Sequence, residues 1–267
     1  YAGECTPGAN NGLHHTPFYG IVREDTGEVF TTVSKGYQPT QNHTIIETMQ
    51  EIAGENNLEI VKAIPLNGGR KIVVQMKKPK GHRIIIGEEP TEQYIYAING
   101  HDSSSSLKFG FMNKVIFCQN QFAWLSNNAF SGYRHTKFIQ DKIEQLPKII
   151  NFTDQKERIA DLQNFSEQTA NMSLIFDLVD YLIKTDKLAN KEDLSSQKRR
   201  QCRDLTTCIA AEMDRVSHTK WGMFNGVTKY TTHQKSSPNR EYGKQESILT
   251  GSCNKMNEEA FSFLKEN

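Results

Sequence analysis

A change of hydrophobic period near residue 125 constrains this chain more than any other feature of its sequence. Before it, apolar residues come in short β-rich runs separated by turn residues; after it, they recur at helical spacing. Residues 18–23 and 28–33 flank Asp25-Thr26-Gly27, a hairpin turn. Thr44, with Glu47 three residues on, is placed to cap a helix striped by Ile45, Ile46, Met49 and Ile52, and Gly54 and Asn56 are stop signals. Residues 58–64 and 71–76 form a second hairpin about Asn67-Gly68-Gly69, and 83–86, 93–98 and 114–118 are further short strands. Phe109 and Phe111 alternate as one face of a half-buried sheet does. Residues 138–149, a long stretch 154–184, then 197–216, 221–230 and 254–265 read as helices, with loops at 186–196 and 236–242.

Strands followed by helices, rather than alternating with them, predict an α+β fold: an N-terminal antiparallel β-sheet with one early helix, then a mainly helical C-terminal half. The boundary falls between a β-rich part, 1–125, and a helical part, 126–267, packed as one integrated domain.

A chain of 267 residues can bury a substantial core, and 24% charged with 36% apolar residues suits a globular protein. A net charge of +1 leaves nucleic acid open as a partner, because cations can gather on one face of a neutral protein. No apolar run nears the roughly 18 residues that span a bilayer, so no membrane partner is expected. The start at Tyr1 shows no signal peptide, and Cys5, Cys118, Cys202, Cys208 and Cys253 form no C-x-x-C pair; both fit a reducing cytoplasm. The glycines build neither G-x-x-x-x-G-K-[ST] nor G-x-G-x-x-G. This argues against a motor ATPase or a dinucleotide-dependent dehydrogenase, and no cofactor is expected.

Five clusters carry polar chemistry: Asn99-Gly100-His101-Asp102-Ser103, Cys118-Gln119-Asn120-Gln121, Arg134-His135-Thr136, the run from Thr219 through Lys220, Trp221 and Asn225 to Thr228 and on to His233, and Gly251 to Lys255. His101, Asp102, His135 and His233 would serve a metal if they converged, and Cys118 with a histidine would make a nucleophile and its base. No H-E-x-x-H, H-x-E with P-C-x-x-C or G-x-S-x-G spacing supports either role. The plainer reading makes His101 and Asp102 turn caps, Asn120 a partner for loop backbone and Cys118 a small buried residue at a strand end. No catalytic residue and no metal ligand is assigned.

Basic residues gather three times. Lys77, Lys78, Lys80, His82 and Arg83 crowd one hairpin tip; Lys198, Arg199, Arg200 and Arg203 share a helix; Lys220, Lys229, Lys235, Arg240 and Lys244 surround Trp221. Each alone is an ordinary solvated surface. Together, with Tyr94, Tyr96, Phe224, Tyr230 and Tyr242 nearby, they suit a phosphate backbone with unpaired bases.

The motifs also resemble a known pattern. Asn99, His101, Asp102 and Ser103 resemble the "nSHDGS" segment of the phage/plasmid-like family called domain of unknown function 932, with Ser103 in place of a usual Gly. Residues 115–120, ending Cys118-Gln119-Asn120, are similar to its "vvCqN" strand, and Arg134-His135-Thr136 to its "RHT". Thr219, Trp221, Asn225, Val227, Thr228 and His233 resemble its "T-x-W-x-x-x-N-A-V-T…dH", with Gly226 for the usual Ala. Gly68-Gly69-Arg70 and Tyr37-Gln38 are similar to earlier parts. Gly251, Cys253 and Lys255 match its "G-x-G…K" without the second Gly. The resemblance spans about 37–261. It implies a protein carried by phages and plasmids, with a layout like single-strand annealing recombinases, and no more specific activity.

The expected function is single-stranded DNA binding and annealing in recombination, by a homo-oligomer that hydrolyses no nucleotide. Lys77, Lys78 and Arg83 would contact phosphate; Arg134, Lys220 and Lys229 would line the groove; Trp221 or Tyr230 would stack or support it. His101, Asp102, Cys118, Asn120, His135, Asn225 and His233 are motif residues whose role stays open. The alternatives are a metal-dependent hydrolase or nuclease using the His/Asp residues, and a phage interaction or host-defence antagonist protein without catalysis.

Overall fold

The computed structural model describes residues 2–4, 18–79, 83–103, 106–125, 134–136, 139, 141, 143, 153–185, 194–239 and 242–267. Strands come first: β1 Ala2–Glu4, β2 Phe18–Val22, β3 Val29–Ser34, then helix α1 Asn42–Glu55, then β4 Glu59–Leu66, β5 Lys71–Lys77, β6 Ile84–Ile86, β7 Glu89–Gly100, β8 Lys108–Val115 and β9 Gln121–Leu125. Helices follow: α2 Thr153–Glu167, α3 Met172–Ile183, α4 Ser196–Arg215, α5 Lys220–Lys229, which continues as a π turn Tyr230–Gln234, α6 Gly243–Thr250 and α7 Ser252–Glu266. This is the α+β order that the change of period predicts. Among the described residues no helix is long and apolar enough to cross a membrane.

One sheet runs β1-β2-β3, antiparallel throughout; a second runs β4-β5-β7-β8-β9, with β6 paired to β7. By its contacts the chain divides into two interleaved units: 1–79, 95–110 and 125–151, and 80–94, 111–124 and 152–267.

In the first unit, Ile45, Met49 and Ile52 of α1 are buried, as are Ile64 and Leu66 of β4 and Val73 and Val74 of β5. The helix begins earlier than its capping signal: Gln41 is the N-cap and makes no side-chain bond, while Thr44 lies inside the first turn. Asn56 closes it, its N–H donating to Ile52.

In the second unit, Phe122, Phe165, Trp221, Phe224 and Phe261 form an aromatic core, with Phe122 and Phe224 edge-on at 5.1 Å. The Arg158 guanidinium lies 3.7 Å from the centre of the Phe261 ring and 5.1 Å from that of Trp124, and pairs with Glu258. Gly222 and Gly226 stand one turn apart on α5. A Cβ on Gly226 would lie 2.3 Å from the Ile209 Cα of α4, and one on Gly222 would lie 2.1 Å from the Ser217 carbonyl oxygen. Without side chains there, α5 meets α4 backbone to backbone.

Three other expectations change. The stretch 154–184 is two helices, because Lys220 donates its N–H to Gln168 and Ala170 to His218, which removes 168–170 from the helix; Asn171 then caps α3 by accepting from Leu174 at 2.9 Å. The strand expected at 114–118 is displaced: β8 ends at Val115, and 116–120 turn into β9 with Gln119 at φ 59°. Helix α6 was not legible in sequence, being short and opening on Gly243. The helix expected over 138–149 lies mostly outside the described residues, where Ile139, Asp141 and Ile143 are helical.

Candidate functional site

The motif residues assemble into two groups, one in each unit. In the first unit the segment 37–42 ties two motifs together. Asn99, wholly buried near the end of β7, donates its Nδ2 to the Thr40 carbonyl at 3.0 Å. The Thr40 hydroxyl lies 3.3 Å from His135 Nδ1, and the Gln38 N–H donates to the His135 carbonyl at 3.1 Å. Tyr37 donates its hydroxyl to the Gly100 carbonyl at 3.4 Å and sets its ring 5.1 Å from that of His135. The His101 N–H donates to the Arg70 carbonyl at 2.7 Å, so the Gly68-Gly69-Arg70 turn buttresses the same loop. Gly68 and Gly69 have φ of 67° and 89°, conformations that suit glycine there.

These contacts frame a cavity of about 620 Å³ lined by Ser34, Tyr37, Ser103, Arg134, His135 and Thr136, among others, with no carboxylate in its described lining. Arg134 is exposed; His135 is 6% exposed. Burial pushes the Tyr37 phenol up to about 12, with the charge of Asp102 adding to it, so the hydroxyl remains a donor at neutral pH.

His101 lines a second hollow, of about 320 Å³, beside Arg23, Phe30 and Asn42. Its Nε2 lies 2.6 Å from the Asn42 Oδ1 at the start of α1. Burial lowers its pKa, while Asp102 opposes the shift. The neutral imidazole therefore favours the fold; that contribution is full above the ordinary histidine value of about 6.5 and is lost as pH falls below it through the lower folded value. In an NMR pH titration the His101 ring should protonate below that value; a midpoint at or above it would contradict the buried, neutral arrangement.

The second unit holds the other motifs as a packing knot. Asn120 donates Nδ2 to the Asn225 carbonyl at 3.2 Å, and Asn225 donates its own to Trp221 at 3.2 Å. His233 Nε2, on the π turn, lies 3.2 Å from the Cys118 carbonyl oxygen, and the Thr232 hydroxyl accepts from Gln121 N–H at 3.1 Å. His233 thus meets the Cys118 backbone, not its thiol, and burial raises the thiol pKa; this is not the geometry of an activated nucleophile. Cys118 sits half-buried in the β8–β9 turn, not at a strand end.

Of the residues expected on a nucleic-acid groove, Lys77, Lys78 and Arg134 belong to the first unit and Arg83, Lys220, Trp221 and Lys229 to the second. Residues 80–82 of the basic hairpin lie outside the described residues. Trp221 is 0% exposed, with no face open to stacking. Lys220 is buried and donates to the Gln168 side chain, and Lys229 pairs with buried Glu212 at 2.9 Å. Among the described residues no three His, Cys, Asp or Glu side chains could hold one metal ion. Sequence reasoning did not single out Thr40, which makes the first group cohere and stands in no motif; Asn42 opens an Asn42-His43-Thr44 triplet of the N-x-[ST] kind, a signal unrelated to its bond with His101. Tyr37 carried a signal, the resemblance of Tyr37-Gln38 to the family pattern.

The family model described as Domain of unknown function (DUF932) matches residues 29–253. No curated protein and no solved structure matches the chain.

Proposed function

The chain belongs to the family described as domain of unknown function 932, and from that footing we propose that it binds nucleic acid, holding single-stranded DNA and promoting its annealing in recombination as a phage- or plasmid-borne, cytoplasmic homo-oligomer. The observation that carries this reading is the first-unit cavity, where exposed Arg134 stands beside the Tyr37 and His135 rings and the hydroxyls of Ser103 and Thr136. A guanidinium takes a phosphate in a two-pronged hydrogen bond, hydroxyls take its remaining oxygens, and the half-buried Tyr37 ring, backed by His135, accepts an unpaired base. At about 620 Å³ the cavity has the size of a small-ligand pocket, enough for one nucleotide unit of a strand.

The test is a fluorescence-anisotropy titration of a labelled single strand and of a duplex of equal length, at two salt concentrations. The wild-type chain should prefer the single strand and weaken as salt rises. Arg134→Ala should raise the Kd about tenfold and flatten the log–log salt slope by about 0.7, the value of one single-strand phosphate contact. No binding of either form at low salt overturns the reading.

A further inference from the structure

We propose that the outer face of α4, with the groove it forms against α3, is the surface on which a second copy of this chain docks. The groove holds about 720 Å³ and lies wholly within the second unit. Its floor is small, formed by Thr206, Thr207 and Ala210, and its wall is Phe176 of α3, which is 47% exposed. One turn before it, Met172 is 60% exposed. Phe176 at the open groove, with Met172 beyond the lining on the same helix face, leaves apolar surface uncovered.

The charges choose the occupant. Along α4 the charged lining residues are Arg199, Arg203 and Asp214, all exposed; Arg203 lies 3.4 Å from Asp204 of its own helix, which leaves Arg199 and Asp214 as the charges at the two ends. In sequence they stand equally far from the midpoint between Thr206 and Thr207. Two copies of α4 laid antiparallel about a two-fold axis at that midpoint set Arg199 of each against Asp214 of the other, with the small residues at the crossing, where helices approach closely. Parallel pairing would set arginine against arginine, so the pattern specifies direction as well as partner. Within its own copy Asp214 has only a distant partner among the described residues, His218 at 3.6 Å, with side chains 77% and 74% exposed.

The inference rests on the homo-oligomer part of the proposed function and gives it a surface; its experiment contains no DNA, so failure of the dimer and failure of strand binding are read separately. Sedimentation equilibrium of the full chain should show a reversible dimer. Asp214→Arg and Arg199→Asp should each weaken it at least about tenfold, and the combined exchange should restore it to near the wild-type constant. Circular dichroism melts report whether each variant folds, and Arg199→Asp carries the test alone if Asp214→Arg does not. A wild-type chain that stays monomeric, a dimer that ignores both single changes, or a double exchange that restores nothing overturns the proposal. The first of these would leave the groove to a different protein.

Discussion

Gly226→Ala should destabilise the chain by about 3 kcal/mol, against what helix propensity predicts. Propensity alone favours alanine over glycine in a helix interior by about 1 kcal/mol. Packing opposes it: the new methyl would stand 2.3 Å from the Ile209 Cα and 2.8 Å from the Ile209 N, and backbone on a neighbouring helix cannot turn aside as a flexible side chain does. The helices α4 and α5 must then part, and overpacking of this kind costs about 1–3 kcal/mol or more. The clash is with backbone, so trimming Ile209 to alanine in the same chain should not relieve it. Gly54→Ala, near the end of α1, is the internal control, since nothing lies within 4 Å of its Cβ position. There the propensity term acts unopposed and should stabilise by about 0.5–1 kcal/mol. Thermal or urea unfolding of the two variants measures both; equal signs would contradict the close approach.

Arg215→Ala should cost about as much, through charge rather than volume. Arg215 reaches Glu89 at 2.6 Å and Glu212 at 2.5 Å, and Lys229 reaches Glu212 at 2.9 Å. The two carboxylates are 6% and 1% exposed, whereas Arg215 is 37% exposed. Removing one partner of a buried ion pair costs about 3–5 kcal/mol because the other charge stays buried. Lys229 still pairs with Glu212 in the variant, which places the effect near the lower end. Arg215→Lys should recover part of the loss, since a single ammonium cannot serve both carboxylates as the guanidinium fork does. Burial alone would raise the pKa of Glu212, but its hydrogen bonds to Arg215 and Lys229 outweigh that and hold it below the ordinary value of 4.5. A depressed carboxylate stabilises the fold above its unfolded-state pKa, and that stability fades as pH falls through the folded value. The wild-type chain should therefore lose stability as it is acidified below about 4.5, and Arg215→Ala should move the acid-unfolding midpoint upward. Guanidinium melts across that range test both statements.

Local pattern carried much of the architecture. The change from β-type runs to helical spacing gave the α+β order, because side-chain periods of two and 3.6 are set within a few residues of chain. It also placed α1, α4, α5 and α7 to within a few residues. Where the expectations slipped, a contact distant in sequence prevailed. Bonds from 168 and 170 to 218 and 220 broke the expected long helix, and the chain turn at 116–120 shifted a strand by several residues. The candidate site divides the same way. The motif strings around His101, His135, Asn120 and Asn225 could be read directly, and Tyr37-Gln38 more faintly.

What the sequence determined by itself was therefore the fold class, the order of elements and the polar strings worth watching. Only the tertiary structure decided which of those strings meet. Thr40 bridges Asn99 and His135 from 59 and 95 residues away, Trp221 is turned into the core, and Gly226 is pressed against Ile209. The physical reason is that periodicity records which face of an element is apolar, whereas a hydrogen bond or a 2.3 Å approach depends on how two distant elements are laid against each other.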